Sequence, residues 1–248
     1  MNIKYSYATD IGQTRSHNED AVSVFKNDHL VVAVVADGMG GHSAGDVASK
    51  MAMDHIEEKF TPNLQFLDTE SAHIWAAAVL EHINASILDY AKAHDARAMG
   101  TTLVLTITTE TFIAVANIGD SRAYVLAYDH LRQVTKDHTF VRELLEKGKI
   151  SARAAKLHPN KNIINNALGA GAVLNFDFSV IERYDLDAML LASDGLTGFV
   201  EDKELLDVLS SDTSVDEKVK SLIDRANENG GRDNISVALL EFKKGGAS

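Results

Sequence analysis

Residues 102–127 read TLVLTITTETFIAVANIGDSRAYVLA, three apolar and β-branched runs parted by two short polar breaks at 109–111 and 118–121. The runs predict strands over 102–108, 112–117 and 122–127. Parallel neighbours need a crossover of a dozen or more residues, so breaks this short dictate antiparallel pairing. Working outward, further strands are expected at 3–8, 21–25, 30–36, 177–181, 188–192 and 235–242. Apolar residues recurring at three and four predict helices over 44–59 (Val47, Met51, Ala52, Ile56), 72–93 (Trp75, Val79, Ile83, Ile87) and 215–226 (Val215, Val219, Leu222, Ile223, Ala226), with a shorter one at 140–147. Helices come in blocks and do not alternate with strands. The expected class is therefore α+β, with layered antiparallel sheet, and not a doubly wound parallel sheet.

Composition narrows the function. The chain has 248 residues, 45% of them apolar and 24% charged, the profile of an ordinary globular protein. It has no cysteine, which excludes disulfides, thiol nucleophiles and thiolate metal sites. A formal charge of −12 argues against nucleic acid or an anionic membrane as the main partner. The longest apolar run, 30–36, is far too short to span a bilayer, and the opening Met1-Asn2-Ile3-Lys4-Tyr5 has no signal pattern. These features suggest a full-length cytoplasmic protein. With no repeat, no linker and only Pro62 and Pro159, a single domain over 1–244 is expected, followed by a polar tail at 245–248.

Carboxylates gather where strands end. Asp37 follows LVVAVVA, Asp120 follows FIAVANIG, Asp194 follows AMLLAS, and Asp233 precedes NISVALL. One such Asp beside a glycine is most often a turn residue. Four at strand ends point to a shared volume, where mutual repulsion must be relieved by protonation or by cations. Oxygen ligation without cysteine, and without an H-E-x-x-H pair, suits Mg²⁺ or Mn²⁺. Ahead of the second strand, Thr14-Arg15-Ser16-His17-Asn18-Glu19-Asp20 offers a guanidinium fork suited to phosphate and two more carboxylates, although alone it reads equally as a mixed-charge surface loop. The glycines of 38–41 match neither a dinucleotide turn nor a nucleotide phosphate loop, and no G-x-S-x-G is present.

Taken together, R-S-H-N-E-D at 15–20, V-A-D-G-M-G-G-H at 35–42, G-T-T at 100–102, N-I-G-D-S-R at 117–122, K-D-H-T at 136–139, H-P-N-K-N at 158–162, A-L-G at 167–169, L-A-S-D-G-L at 191–196 and G-G-R-D-N-I-S at 230–236 are specific. In this order the chain resembles the bacterial members of the metal-dependent, type 2C family of serine/threonine protein phosphatases. The resemblance implies a four-layer α-β-β-α sandwich, two antiparallel sheets face to face with helices on both outer faces. It also implies two core Mn²⁺ or Mg²⁺ ions and a third. Asp37 would bridge the core pair, with Asp194 and Asp233 on the first ion and the Gly38 carbonyl on the second. Glu19 and Asp20 would act through water, Asp120 with Asp194 would hold the third ion, and Arg15 would grip the substrate phosphate.

The reaction implied is attack of a metal-bridged hydroxide on phosphoserine or phosphothreonine in proteins, which suits so slow a hydrolysis and needs no covalent phosphoenzyme. The partners implied are phosphoproteins and a cognate serine/threonine kinase, with a monomer as the default state. A silent phosphoprotein-binding module is the alternative, disfavoured because the carboxylates are all present. Animal relatives carry a histidine where this chain has Met39, which leaves His42, His138 or a metal-bound water near Asp120 as the proton donor. Segment 137–169 matches the family's flap beside the active site. Relatives often have an arginine before A-L-G, where this chain reads Ile163-Ile164-Asn165-Asn166.

Overall fold

The computed structural model describes residues 1–40, 44–96 and 98–242. Two antiparallel sheets face each other. One runs in the order β1 (Ile3–Asp10), β11 (Ile235–Phe242), β10 (Ala188–Ala192), β7 (Arg122–Ala127), β8 (His130–Gln133). The other runs β2 (Asp20–Lys26), β3 (Val31–Met39), β5 (Leu103–Thr108), β6 (Phe112–Ile118), β9 (Asp177–Glu182), with the short β4 (Gly100–Thr101) on the end of β3. The order β5, β6 follows from the brief turn at 109–111, as the opening stretch requires.

Alternation within single strands builds the layers. Along β3, Val31, Ala33 and Val35 enter the core between the sheets, while Val32 and Val34 face helices. Along β11, Ala238, Leu240 and Phe242 turn inward while Val237 and Leu239 turn outward. With both faces covered, these strands read as continuous apolar runs and not as the polar-apolar alternation of a half-exposed sheet. On the outer face of the second sheet lie α1 (Ala44–Lys59) and α2 (Thr69–Ala93), through Ala48, Ala52, Ile56, Val79, Ile83 and Ile87. On the outer face of the first lie α5 (Asp194–Thr197), α6 (Asp202–Leu209) and α7 (Val215–Glu228). The expected four-layer α-β-β-α sandwich is the observed one.

Three local differences have clear causes. The strand through LVVAVVA does not stop before Asp37 but continues to Met39, because β4 pairs with Gly38 and Met39. Helix α6 is absent from the periodicity reading. It is short, and its capping box is made by Glu201 with Glu204 and not by the Ser or Thr that usually marks a helix start. Helix α2 begins a turn early because Asp68 and Ser71 form a reciprocal cap. Between β8 and β9 the chain forms α3 (Phe140–Glu146), closed by Gly148 at φ +65°, and α4 (Ala152–Lys156).

Candidate metal centre

The ends of β2 and β3 create the site. Asp20 and Asp37 are directly opposite in the antiparallel register, so both carboxylates arise at one rim of the sandwich. Asp37 is fixed through its backbone: its N–H donates to Thr102 Oγ1 (3.1 Å), and its carbonyl accepts from Thr102 N–H and Thr101 Oγ1 (both 2.9 Å). That bracing leaves its side chain free to approach the carboxyl of Asp194, which heads α5. Gly38 follows at a point of extreme crowding. A Cβ there would lie 2.2 Å from the Gly45 carbonyl and 2.5 Å from that of Glu19, so only glycine lets α1 and the segment entering β2 converge.

Electrostatics shows that five aspartates share this volume. Burial pushes Asp20 up to about 7 against hydrogen bonds from Ser193 and Ser236, with Asp194 and Asp233 adding repulsion. Burial likewise raises Asp37 well above the carboxylate range, helped by Asp20, Asp194, Asp120 and Asp233. Asp120 is pushed up to about 7, first by burial and then by Asp194 and Asp137, and Asp194 is raised by burial and by Asp233. Against this, Arg15 Nη2 reaches Asp233 Oδ2 at 2.7 Å from a half-exposed position, the one strong ion pair within the cluster among the described residues.

A divalent cation fits these residues. Asp20 Oδ2, Asp120 Oδ1 and Asp194 Oδ1 are buried with no hydrogen-bond partner, a costly arrangement unless something positive meets them. The donors are all oxygen, which selects hard ions. No three acidic or histidine side chains among the described residues already close around a single point, so an ion held here would need water to complete its shell.

Asp20, Asp37, Asp120, Asp194 and Asp233 are brought together, with Arg15 at their edge. Glu19 is adjacent, but its carboxylate faces His17 Nε2 at 3.6 Å, while its backbone braces Gly38 N–H and Ser49 Oγ. Met39 closes β3. His138 lies by Asp120 with both ring nitrogens engaged. His42 lies outside the described residues, as does 245–248.

Other contributors carry no sequence signal of their own. Asn234 clamps the N-terminal loop by accepting from Glu19 N–H and donating to the Ile11 and His17 carbonyls. Arg122 forks onto Asp137 at 2.9 and 2.6 Å; burial opposes its charge, and Asp137 more than offsets that. Both residues stand in motifs quoted above, but only the folded chain shows what they touch.

The geometry agrees with the comparisons. The sequence profile of the family described as Protein phosphatase 2C matches residues 12–240. The serine/threonine phosphatase Stp of Listeria welshimeri is 43% identical over 237 residues, spanning 95% of this chain and 94% of that one. The crystal structure of serine/threonine phosphatase Stp1 from Staphylococcus aureus superposes with a TM-score of 0.92 at 33% identity, covering 98% of this chain and 96% of that one. The catalytic domain of the serine/threonine protein phosphatase PstP, solved in complex with two manganese ions, matches at TM-score 0.83 and 32% identity over 96% of this chain and 97% of that one. A match this long, over a sandwich whose rim carries the clustered aspartates, places the chain in the protein phosphatase 2C family.

Proposed function

We propose that this chain hydrolyses phosphoserine and phosphothreonine esters in proteins, with two Mn²⁺ or Mg²⁺ ions at the rim held by Asp37, Asp194, Asp233 and the Gly38 carbonyl, and a third by Asp120 with Asp194. When bound, the cations acidify water to make a nucleophile at neutral pH and neutralise phosphoryl oxygens. The buried, unpartnered aspartate oxygens beside a half-exposed arginine carry this reading.

The chain's own residues do the rest. Arg15 offers a planar fork to the phosphate from the solvent side, exchanging its contact with Asp233 for the substrate. Asp20 is steadied by Ser193 and Ser236 and orients water on the nucleophile side, with Glu19 outside it. His138 is not free to protonate a leaving alkoxide, because one ring nitrogen accepts from Gly119 and the other faces Asp177, so proton return falls to a donor oriented by Asp120. Residues 1–244 act as one catalytic unit, with 137–169 as a flap over substrate. A serine/threonine kinase supplies the substrate, and the protein works as a cytoplasmic monomer. Among the described residues no helix is long and apolar enough to cross a membrane.

The test is phosphate release from a phosphothreonine peptide with Mn²⁺, with Mg²⁺ and with chelator, beside Asp194→Asn. Turnover that needs the ion and falls at least 100-fold in the variant is expected. Folded protein without turnover under either metal would overturn the proposal.

A further inference from the structure

We propose that His138 is a positioning residue for Asp120, and that through it segment 140–166 acts on the carboxylate cluster; this rests on the reading of Asp120 as a site residue. His138 and Gly119 are bonded twice. The His138 backbone N–H donates to the Gly119 carbonyl at 2.9 Å, and the Gly119 N–H donates back to the ring Nδ1 at 3.2 Å. This reciprocal pair holds the residue immediately before Asp120.

Two other side chains hold the turn: Ser121 Oγ lies 2.8 Å from Thr102 Oγ1 on the far side of Asp120, and Asn117 Nδ2 reaches the Gly119 carbonyl at 3.5 Å, a longer contact than either His138 bond. Gly119 has φ +103°, and a Cβ would lie 2.5 Å from Thr102 Cβ, so residue 119 can carry no side chain of its own and is held only by what its neighbours offer. Asp120 Oδ1 is buried without a partner, and the hydrogen bond that lowers its carboxyl comes from its own backbone. The direction of the Asp120 carboxylate is thus inherited from the backbone of the turn, and His138 makes two of the bonds that set that backbone.

The same ring reaches away from the site. With Nδ1 accepting, the ring is the neutral Nε2–H tautomer, and Nε2 lies 3.4 Å from Asp177 Oδ2 on β9. Asn166 Nδ2 stands 3.1 Å from Nδ1 and donates to the Asn175 carbonyl at 2.7 Å. The Asn165 N–H donates to the His138 carbonyl at 2.9 Å, and the following Thr139 bridges to Ile164. One residue therefore contacts the Asp120 turn, the far end of the segment carrying α3 and α4, and the edge strand β9. A shift of that segment has a hydrogen-bonded route to Asp120.

A double-mutant cycle on the full chain tests this, reading kcat and KM for a phosphothreonine peptide and the Mn²⁺ concentration that gives half-maximal thermal stabilisation. His138→Leu is expected to lower kcat or Mn²⁺ affinity 10- to 100-fold, the usual effect of losing a residue that orients a metal ligand, with little change in KM. His138→Asn should recover most of the loss, because its Oδ1 can accept from Gly119 as Nδ1 does. His138→Leu should add nothing further in an Asp120→Asn background. Losses that multiply in the double variant would overturn the coupling, as would a folded His138→Asn no better than His138→Leu. Asp120→Asn at parental kcat and Mn²⁺ affinity would instead remove the reading of Asp120, and this inference with it. If His138→Leu fails to fold, His138→Gln, which keeps the reach to Asp177 but leaves the Nδ1 position empty, takes its place with the same expectations.

Discussion

Single residues at this rim obey the site before they obey local propensity. Gly45 lies in the first turn of α1, where an exposed Gly→Ala change would ordinarily stabilise by about 1 kcal/mol. Here a Cβ would lie 2.7 Å from the Gly38 carbonyl carbon, 2.8 Å from its oxygen and 2.9 Å from Met39 N, all backbone atoms of the segment that follows Asp37. Overpacking against backbone that cannot yield reverses the sign. Gly45→Ala should destabilise by about 1–3 kcal/mol in urea unfolding and weaken Mn²⁺ binding by calorimetry; an unchanged or raised midpoint would mean that the turn is more pliable than the geometry implies. This residue also marks the limit of sequence reading at the site. The aspartates were legible because a carboxylate at the end of an apolar run is anomalous. Gly45, Asn234, Ser193 and Ser236 are ordinary residues whose work depends on which distant segment they meet.

At the scale of elements, legibility followed burial. Strands covered on both faces announce themselves as apolar runs, and β3, β5, β6, β10 and β11 lie close to where those runs stand. The reading weakened at short, edge-placed pieces such as β8 and α6, whose patterns are too brief to outweigh a turn. Helix α6 is held by something no periodicity predicts. Lys218 of α7, only 6% exposed, donates to the carbonyl of Leu209 at the end of α6 (2.8 Å) and to Glu241 of β11 (2.7 Å), tying three elements with one ammonium. Removing the carboxylate strands a buried cation, while removing the lysine leaves a carboxylate 24% exposed that water can reach. Glu241→Ala should therefore cost more than Lys218→Met, about 3 against about 1–2 kcal/mol, and the double variant less than the sum. Equal and additive costs in chemical denaturation would show that the pair is not acting as a pair.

For the whole molecule, the five clustered aspartates make stability a matter of pH and metal together. Burial and mutual repulsion push Asp20 and Asp120 up to about 7 and raise Asp37 and Asp194, against an unfolded value near 3.8. The usual carboxylate linkage is thereby inverted. Between about pH 4 and pH 7 the folded protein holds more protons than the unfolded chain, so stability is greatest at the acid end and falls as pH rises through the folded values. The paired surface carboxylates that are lowered, such as Glu58 and Glu143, work in the opposite sense, but only near their own more acidic values, and they are solvent-screened. In chelator, the melting temperature should drop by roughly 5–10 °C between pH 5.5 and pH 7.5, the shift that a few kcal/mol makes in a chain of this size. Mn²⁺ should reverse the slope, because ligation needs the deprotonated carboxylates that neutral pH provides, and its stabilising effect should be several-fold larger at pH 7.5 than at pH 5.5. Asp194→Asn removes one repelling charge, so in chelator it should melt higher than the parent at pH 7.5 while losing most of the response to Mn²⁺. A chelated parent protein that grows steadily more stable from pH 5.5 to pH 7.5 would contradict this account, and would mean that the aspartates relieve their repulsion by spreading apart and not by sharing protons or binding cations.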